Sequence, residues 1–219
     1  MATWKIYILA TRRKLLTDNR LTTYYQNMID PSDVIKFDRT DSELEEFWLF
    51  CCIVAGKTAA SQARLLDKFL TNLNAEHPSP TPFGMIRLSV EATTLPWHTR
   101  FAHLGQYRRI DRCFEESLKL DLRNDPVEAF EEIYGVGPKT ARMFMMHSRP
   151  NQRLAALDTH LLKHLKANGY KVPKATPSSA KQYKELEQVF LKLADDAGQS
   201  AAEYDLMIWK KYAKKLETN

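Results

Sequence analysis

Between Leu44 and Val54 the apolar positions Leu44, Phe47, Trp48, Phe50, Cys51, Ile53 and Val54 fall on nearly every side of a helical wheel. A helix that is apolar all round belongs inside a core. Thr40 and Glu43 stand at capping-box spacing and set its start. The pattern pauses near Gly56 and resumes through Ala59, Ala63, Leu65, Leu66, Phe69 and Leu70. Asn74 to Pro82, rich in proline and asparagine, predicts a loop. Helical spacing returns over Phe83–Glu91 and Leu104–Leu120.

The second half is punctuated by stop and start signals. Asp125-Pro126-Val127-Glu128 predicts a helix start, with Asp125 as cap and Pro126 at the first helical position. That helix ends at once in Gly135-Val136-Gly137-Pro138, and Pro138 suits the first turn of a new helix reaching about His147. Asp158 can cap a helix that stops at Gly169; Lys181–Ala197 is amphipathic and ends at Gly198. Ser200 and Glu203 repeat the capping-box spacing and open a last helix through Trp209 to Leu216. Only Lys5–Ala10 is strand-like, and there is no internal repeat. The fold class expected is all-α.

Composition narrows the functional classes. The chain has 219 residues with 44% hydrophobic and 27% charged, an ordinary globular balance. The apolar run Trp48–Ala55 is far short of the ~20 residues that cross a bilayer. Met1–Lys14 lacks the cleavage site of a signal peptide. Three cysteines, Cys51, Cys52 and Cys113, support neither a disulfide framework nor a four-thiolate metal site. A protein of the reducing cell interior, cytoplasmic and not membrane-bound, is expected.

The net charge is +5, but it is unevenly spread. From Lys139 to Lys174 eight basic residues (Lys139, Arg142, Arg149, Arg153, Lys163, Lys166, Lys171, Lys174) face one acid, Asp158; that window carries +7 and the rest of the chain −2. A basic block in a near-neutral chain is the footprint of a polyanion partner. Within it, two helices joined by Gly135-Val136-Gly137 form a helix-hairpin-helix. Its glycines let backbone approach a ligand, and amides at the start of the second helix can hold a phosphate oxygen, directly or through a bound cation.

Ile133-Tyr134-Gly135-Val136-Gly137-Pro138-Lys139-Thr140-Ala141, followed by Leu157-Asp158-Thr159-His160, resembles the signature of the helix-hairpin-helix DNA glycosylases. Ile53-Val54-Ala55-Gly56-Lys57 resembles their buried helix and wedge loop, and Leu104-Gly105-Gln106-Tyr107 a segment on the opposite-base side. Tyr204-Asp205-Leu206-Met207-Ile208-Trp209 resembles the small archaeal and bacterial 8-oxoguanine DNA glycosylase/lyases. Tyr134 stands where most members have proline, and the four-cysteine iron–sulfur loop of two other branches is missing.

The resemblance implies a two-lobed helical fold with the active-site cleft between lobes, the lobes being 1–38 plus 175–219 and 39–174. It implies Lys139 as nucleophile and Asp158, nineteen positions on, as its partner. Gly135, Val136, Gly137, Arg142 and His160 would contact the DNA backbone. Trp209, Asp205, Met143 and Phe144 would line the base pocket, with Lys57 as wedge. No cofactor or iron–sulfur cluster is expected for catalysis, only a structural monovalent cation at the hairpin. The partner implied is duplex DNA bearing a damaged or modified base, bound by a monomer.

The chemistry suits those residues. Base loss places positive charge on the sugar, which a carboxylate stabilises, while a neutral amine attacks C1′. Desolvation, a helix N-terminus and a neighbouring Arg142 would disfavour the ammonium form of Lys139. Backbone amides capping Asp158 would favour its ionised form. Two other readings remain at this point: the same fold acting on another modified base, phage-encoded for example, and a non-catalytic hairpin protein whose basic residues only track phosphates.

Overall fold

The structure, a computed structural model, describes residues 29–213. The strand expected at Lys5–Ala10, and the last residues of the final helix, lie outside them. Ten helices succeed one another among the described residues: α1 Asp41–Val54, α2 Ala59–Glu76, α3 Pro82–Glu91, α4 Leu95–Phe101, α5 Tyr107–Ser117, α6 Val127–Glu131, α7 Pro138–Ser148, α8 Thr159–Ala167, α9 Ala180–Asp196 and α10 Ala201–Ala213. The all-α expectation holds for these residues, and none of their helices is long and apolar enough to cross a membrane.

α1 starts where its capping box puts it. Thr40 Oγ1 accepts from the Glu43 amide (3.3 Å) and Glu43 Oε2 accepts from the Thr40 amide (2.8 Å). Every residue from Phe47 to Val54 is buried. Trp48 meets Phe130 and Phe144 edge-on at 5.1 and 5.2 Å between ring centroids, a favoured aromatic geometry. Its indole Nε1 donates to Ser117 Oγ at 2.8 Å, so the largest core side chain leaves no polar atom unpaired.

Three expected boundaries move. α2 runs on to Glu76, so Asn74 is helical and not in the loop. Leu95–Phe101 is a separate short helix, and α5 begins only at Tyr107. α6 takes Pro126 as its cap, because Asp125 Oδ2 accepts from the Asp121 amide instead (2.8 Å).

Two hydrophobic cores are present among the described residues. The first gathers Val34 and the buried residues of α1 to α7 as far as Met145. The second begins at Met146 and gathers α8, α9 and α10 as far as Ile208. The two cores meet inside α7. Segment 155–165 packs with the C-terminal helices because Ala155, Leu157, Leu161 and Leu165 fill their core. α7 is the one described element whose buried residues enter both cores, and Met143 touches each.

Candidate active site and DNA interface

The hairpin turns where its glycines permit. Gly135 has φ +77°, and a Cβ there would lie 2.5 Å from Arg109 Cγ, so both the conformation and the close approach require glycine. Gly137 caps α7 in an extended conformation, and a Cβ on it would meet nothing within 4 Å. The space in front of Gly137 is thus free of the protein's own atoms. Lys139 follows in the first turn of α7, where backbone amides have no intrahelical acceptor.

Lys139 is partly exposed, with Nζ 3.6 Å from Met143 Sδ. Asp158 caps α8: its Oδ1 accepts from the amides of His160 and Leu161, both at 2.8 Å. Both bonds fall on Oδ1 and leave Oδ2 for a partner outside the cap. The carboxyl was expected to be held ionised by these amides. Burial and the charge of nearby Asp205 instead push its pKa above the usual carboxylate value, against the pull of the Leu161 amide and of Lys139. Lys139 and Asp205 thus each lie within electrostatic reach of Asp158. Asp205 Oδ2 is 3.0 Å from Nε2 of the buried His147, a residue that sequence reasoning missed.

The segment leading to Asp158 is pinned from α9. Tyr183 Oη donates to the Ala155 carbonyl (2.7 Å) and accepts from the Leu157 amide (3.2 Å). Glu187 Oε1 accepts from the Ala155 amide at 2.9 Å and from Arg142 Nε at 2.9 Å. Arg142 also donates to Glu131. Arg142 was expected on the DNA surface beside Lys139; it is buried and neutralised by two glutamates, because its place on α7 faces the seam between lobes.

Other expected site residues also settle differently. Phe144 is fully buried against Phe47, Trp48 and Phe130, and is a core residue. Val136 packs its side chain in the first core and spends its amide on the Ile133 carbonyl (3.0 Å). The His160 ring lies against Tyr212, with a centroid separation of 6.4 Å. Lys57 is partly exposed, and its Nζ donates to the Leu104 carbonyl (2.5 Å), joining the two loops that the resemblance puts on the DNA side. Trp209 is partly exposed on α10, which packs against α7 and α8. Met143, at the junction of the cores, is a pocket-lining expectation that the structure brings into contact with Lys139.

Arginines of the basic block serve the fold. Arg149 donates to the carbonyls of Leu122 and Asp125, and Arg153 pairs with Asp195. A cationic surface forms elsewhere: an open groove of about 500 Å³ beside the hairpin, lined by Arg100, Gln106, Tyr107, Arg108, Arg109 and Tyr134. Arg109 organises it, donating to the carbonyls of Gly135 and Cys52 (both 3.0 Å) and to Gln106 Oε1 (2.6 Å). A cation at the hairpin would therefore find the Gly135 carbonyl already engaged by a guanidinium.

No family model matches the chain. Over 98 residues it is 33% identical to the 8-oxoguanine DNA glycosylase/AP lyase of Thermotoga sp. (strain RQ2) and 32% identical to that of Thermotoga maritima; each match covers 42% of this chain and 46% of the relative. The matched region thus spans about half the length of these curated relatives. The solved 8-oxoguanine glycosylase/lyase of Methanocaldococcus jannaschii, in complex with a 15-mer DNA containing 8-oxoguanine, superposes with TM-score 0.60 at 20% identity over 92% of this chain and 91% of that one. The 8-oxoguanine DNA glycosylase of Thermotoga maritima gives 0.60 at 18% identity over 95% and 96%. The fold is that of the 8-oxoguanine DNA glycosylases. Within this glycosylase fold, α6, the Gly135–Gly137 turn and α7 form the hairpin, and α7 joins the two lobes beside Asp158.

Proposed function

We propose that the protein is a bifunctional DNA glycosylase/AP lyase that excises a damaged base, 8-oxoguanine in the first instance, and nicks the strand. The observation carrying this reading is that Lys139, in the first turn of the helix after the hairpin, lies close enough for its charge to act on Asp158 at the cap of α8. The partner is lesion-bearing duplex DNA, whose target base must leave the stack to be reached. Gly137 and the Lys139 amide hold a phosphate oxygen at the helix N-terminus. Arg108 and Arg109 track the neighbouring backbone.

On this reading Asp158, with its raised proton affinity, takes a proton from the Lys139 ammonium, passes it to the departing base and so faces the cationic sugar as a carboxylate. The Lys139 amine forms a bond to C1′ as the glycosidic C–N bond breaks, and the base departs with a proton. Opening of the sugar gives a Schiff base. Loss of a C2′ proton then forms a double bond to C3′ and expels the 3′ phosphate, which cuts the strand. Catalysis draws on no cofactor here; a monovalent cation at the hairpin acts on phosphate binding alone.

The test is borohydride reduction with an 8-oxoguanine duplex. The wild-type chain forms a covalent adduct and Lys139→Gln forms none. Equal trapping by both excludes Lys139 as the nucleophile. An absence of trapping and of base release from any lesion duplex returns the protein to a non-catalytic DNA binder.

A further inference from the structure

A second cluster of chemistry-bearing side chains lies in the first lobe, outside the proposed DNA site. Glu76 is the last residue of α2, His77 is its C-cap, and His98 sits in α4. One ligand atom from each lies within 4.8 Å of the other two.

The protonation pattern inside this cluster is informative. His98 is fully buried, and its Nδ1 is 2.8 Å from Asn72 Oδ1. An amide oxygen only accepts, so Nδ1 carries the proton and Nε2 presents a bare lone pair. That Nε2 has no hydrogen-bond partner. What faces it is another acceptor, Glu76 Oε2, at 3.5 Å.

Glu76 adds to the imbalance. It places a carboxylate at the negative end of α2, where the last turn contains no basic residue. His77 is oriented from behind: its Nε2 lies 2.7 Å from Thr94 Oγ1, which also reaches the Ser89 carbonyl (3.4 Å). Each histidine thus has one ring nitrogen held by a polar neighbour, as metal-ligating imidazoles do.

A cation resolves all of these features together, accepting the His98 lone pair, neutralising Glu76 and compensating the helix end. We propose that Glu76, His77 and His98 form a binding site for a divalent transition-metal ion, zinc in particular. Two imidazoles and a carboxylate form a ligand set that zinc accepts, with water completing the coordination. The ion would join the end of α2 to α4, with α3 looping between them. The exposed Glu76 and the partly exposed His77 leave it a path from solvent.

The test uses the full chain, freed of metal by dialysis against a chelator and then titrated calorimetrically with Zn²⁺ alone. One equivalent is expected to bind and to raise Tm, and Co²⁺ should give visible bands of tetrahedral intensity. Glu76→Gln and His77→Gln alter solvent-accessible positions; each should weaken binding more than tenfold with an unchanged helical circular-dichroism spectrum. Asn72→Ala, which removes only the orienting acceptor, should weaken it by about 10–100-fold. Binding of less than one equivalent, or the same affinity in Glu76→Gln and His77→Gln as in the wild type, would overturn the site.

Discussion

Arg142 and Glu187 form a buried ion pair at 2.9 Å that ties α7, the helix of Lys139, to α9, which holds the segment bearing Asp158. Glu187 Oε1 also accepts from the Ala155 amide, so one carboxylate sets the helix and the segment relative to each other. Lys139 and Asp158 come from different lobes, and their approach depends on this seam.

Removing one partner of a buried pair strands the other charge, at a cost of about 3–5 kcal/mol. Glu187→Ala is therefore expected to lower unfolding stability by that order in urea titrations. Borohydride trapping measured on folded protein should also slow, because Asp158 loses its registration. A variant as stable as wild type would show that Glu131 alone satisfies Arg142.

Asp158 makes the opposite prediction. Its folded pKa lies above the unfolded value, so the folded state binds the proton more tightly. The contribution of this group to stability is accordingly greatest below the unfolded pKa and declines as pH rises through the folded one. Asp158→Asn keeps an oxygen to accept from the His160 and Leu161 amides while removing the charge. At neutral pH the variant should be as stable as wild type or more so, and flatter in its stability across the acid range, while base release falls by orders of magnitude and duplex affinity persists. Joint loss of stability and affinity would mark Asp158 as a helix cap alone.

The two hairpin glycines should separate cleanly. Gly135→Ala forces a Cβ into Arg109 at φ +77° and is expected to destabilise the fold by about 1–3 kcal/mol. Gly137→Ala meets no protein atom. It should leave Tm within error of wild type and weaken duplex binding at least tenfold, because the methyl group occupies the phosphate position. Unchanged affinity in Gly137→Ala would remove the hairpin from the DNA interface.

Phe144→Ala distinguishes core from pocket. Cavity formation beneath Trp48 and Phe130 should cost about 3–5 kcal/mol, with the order of preference among lesion duplexes unchanged. A new lesion preference without loss of stability would return Phe144 to the base pocket.

What the sequence made legible was local. Capping boxes, the all-round apolar α1, the proline-initiated α7 and the Asp158 cap are each fixed by residues within a few positions of one another. What it hid depends on partners far along the chain. Arg142 reads as a free cation until Glu187, forty-five positions away, is brought against it. Phe144 follows Met143 at the nucleophile helix, and only the arrival of α1 decides which of the two enters the core. Arg109 carries no motif, yet it links the end of α1, the hairpin and Gln106. Ala155, Leu157 and Leu161 read as apolar wherever they pack, and only the arrival of α9 shows which core they fill.

The central claim is that the Lys139 amine becomes bonded to C1′ of the extruded nucleotide. The most direct measurement is peptide mapping, by mass spectrometry, of the borohydride-reduced complex with an 8-oxoguanine duplex. The residual sugar mass is expected on the peptide containing Lys139, at its Nζ. The same mass on any other lysine or on the N-terminal amine would contradict it.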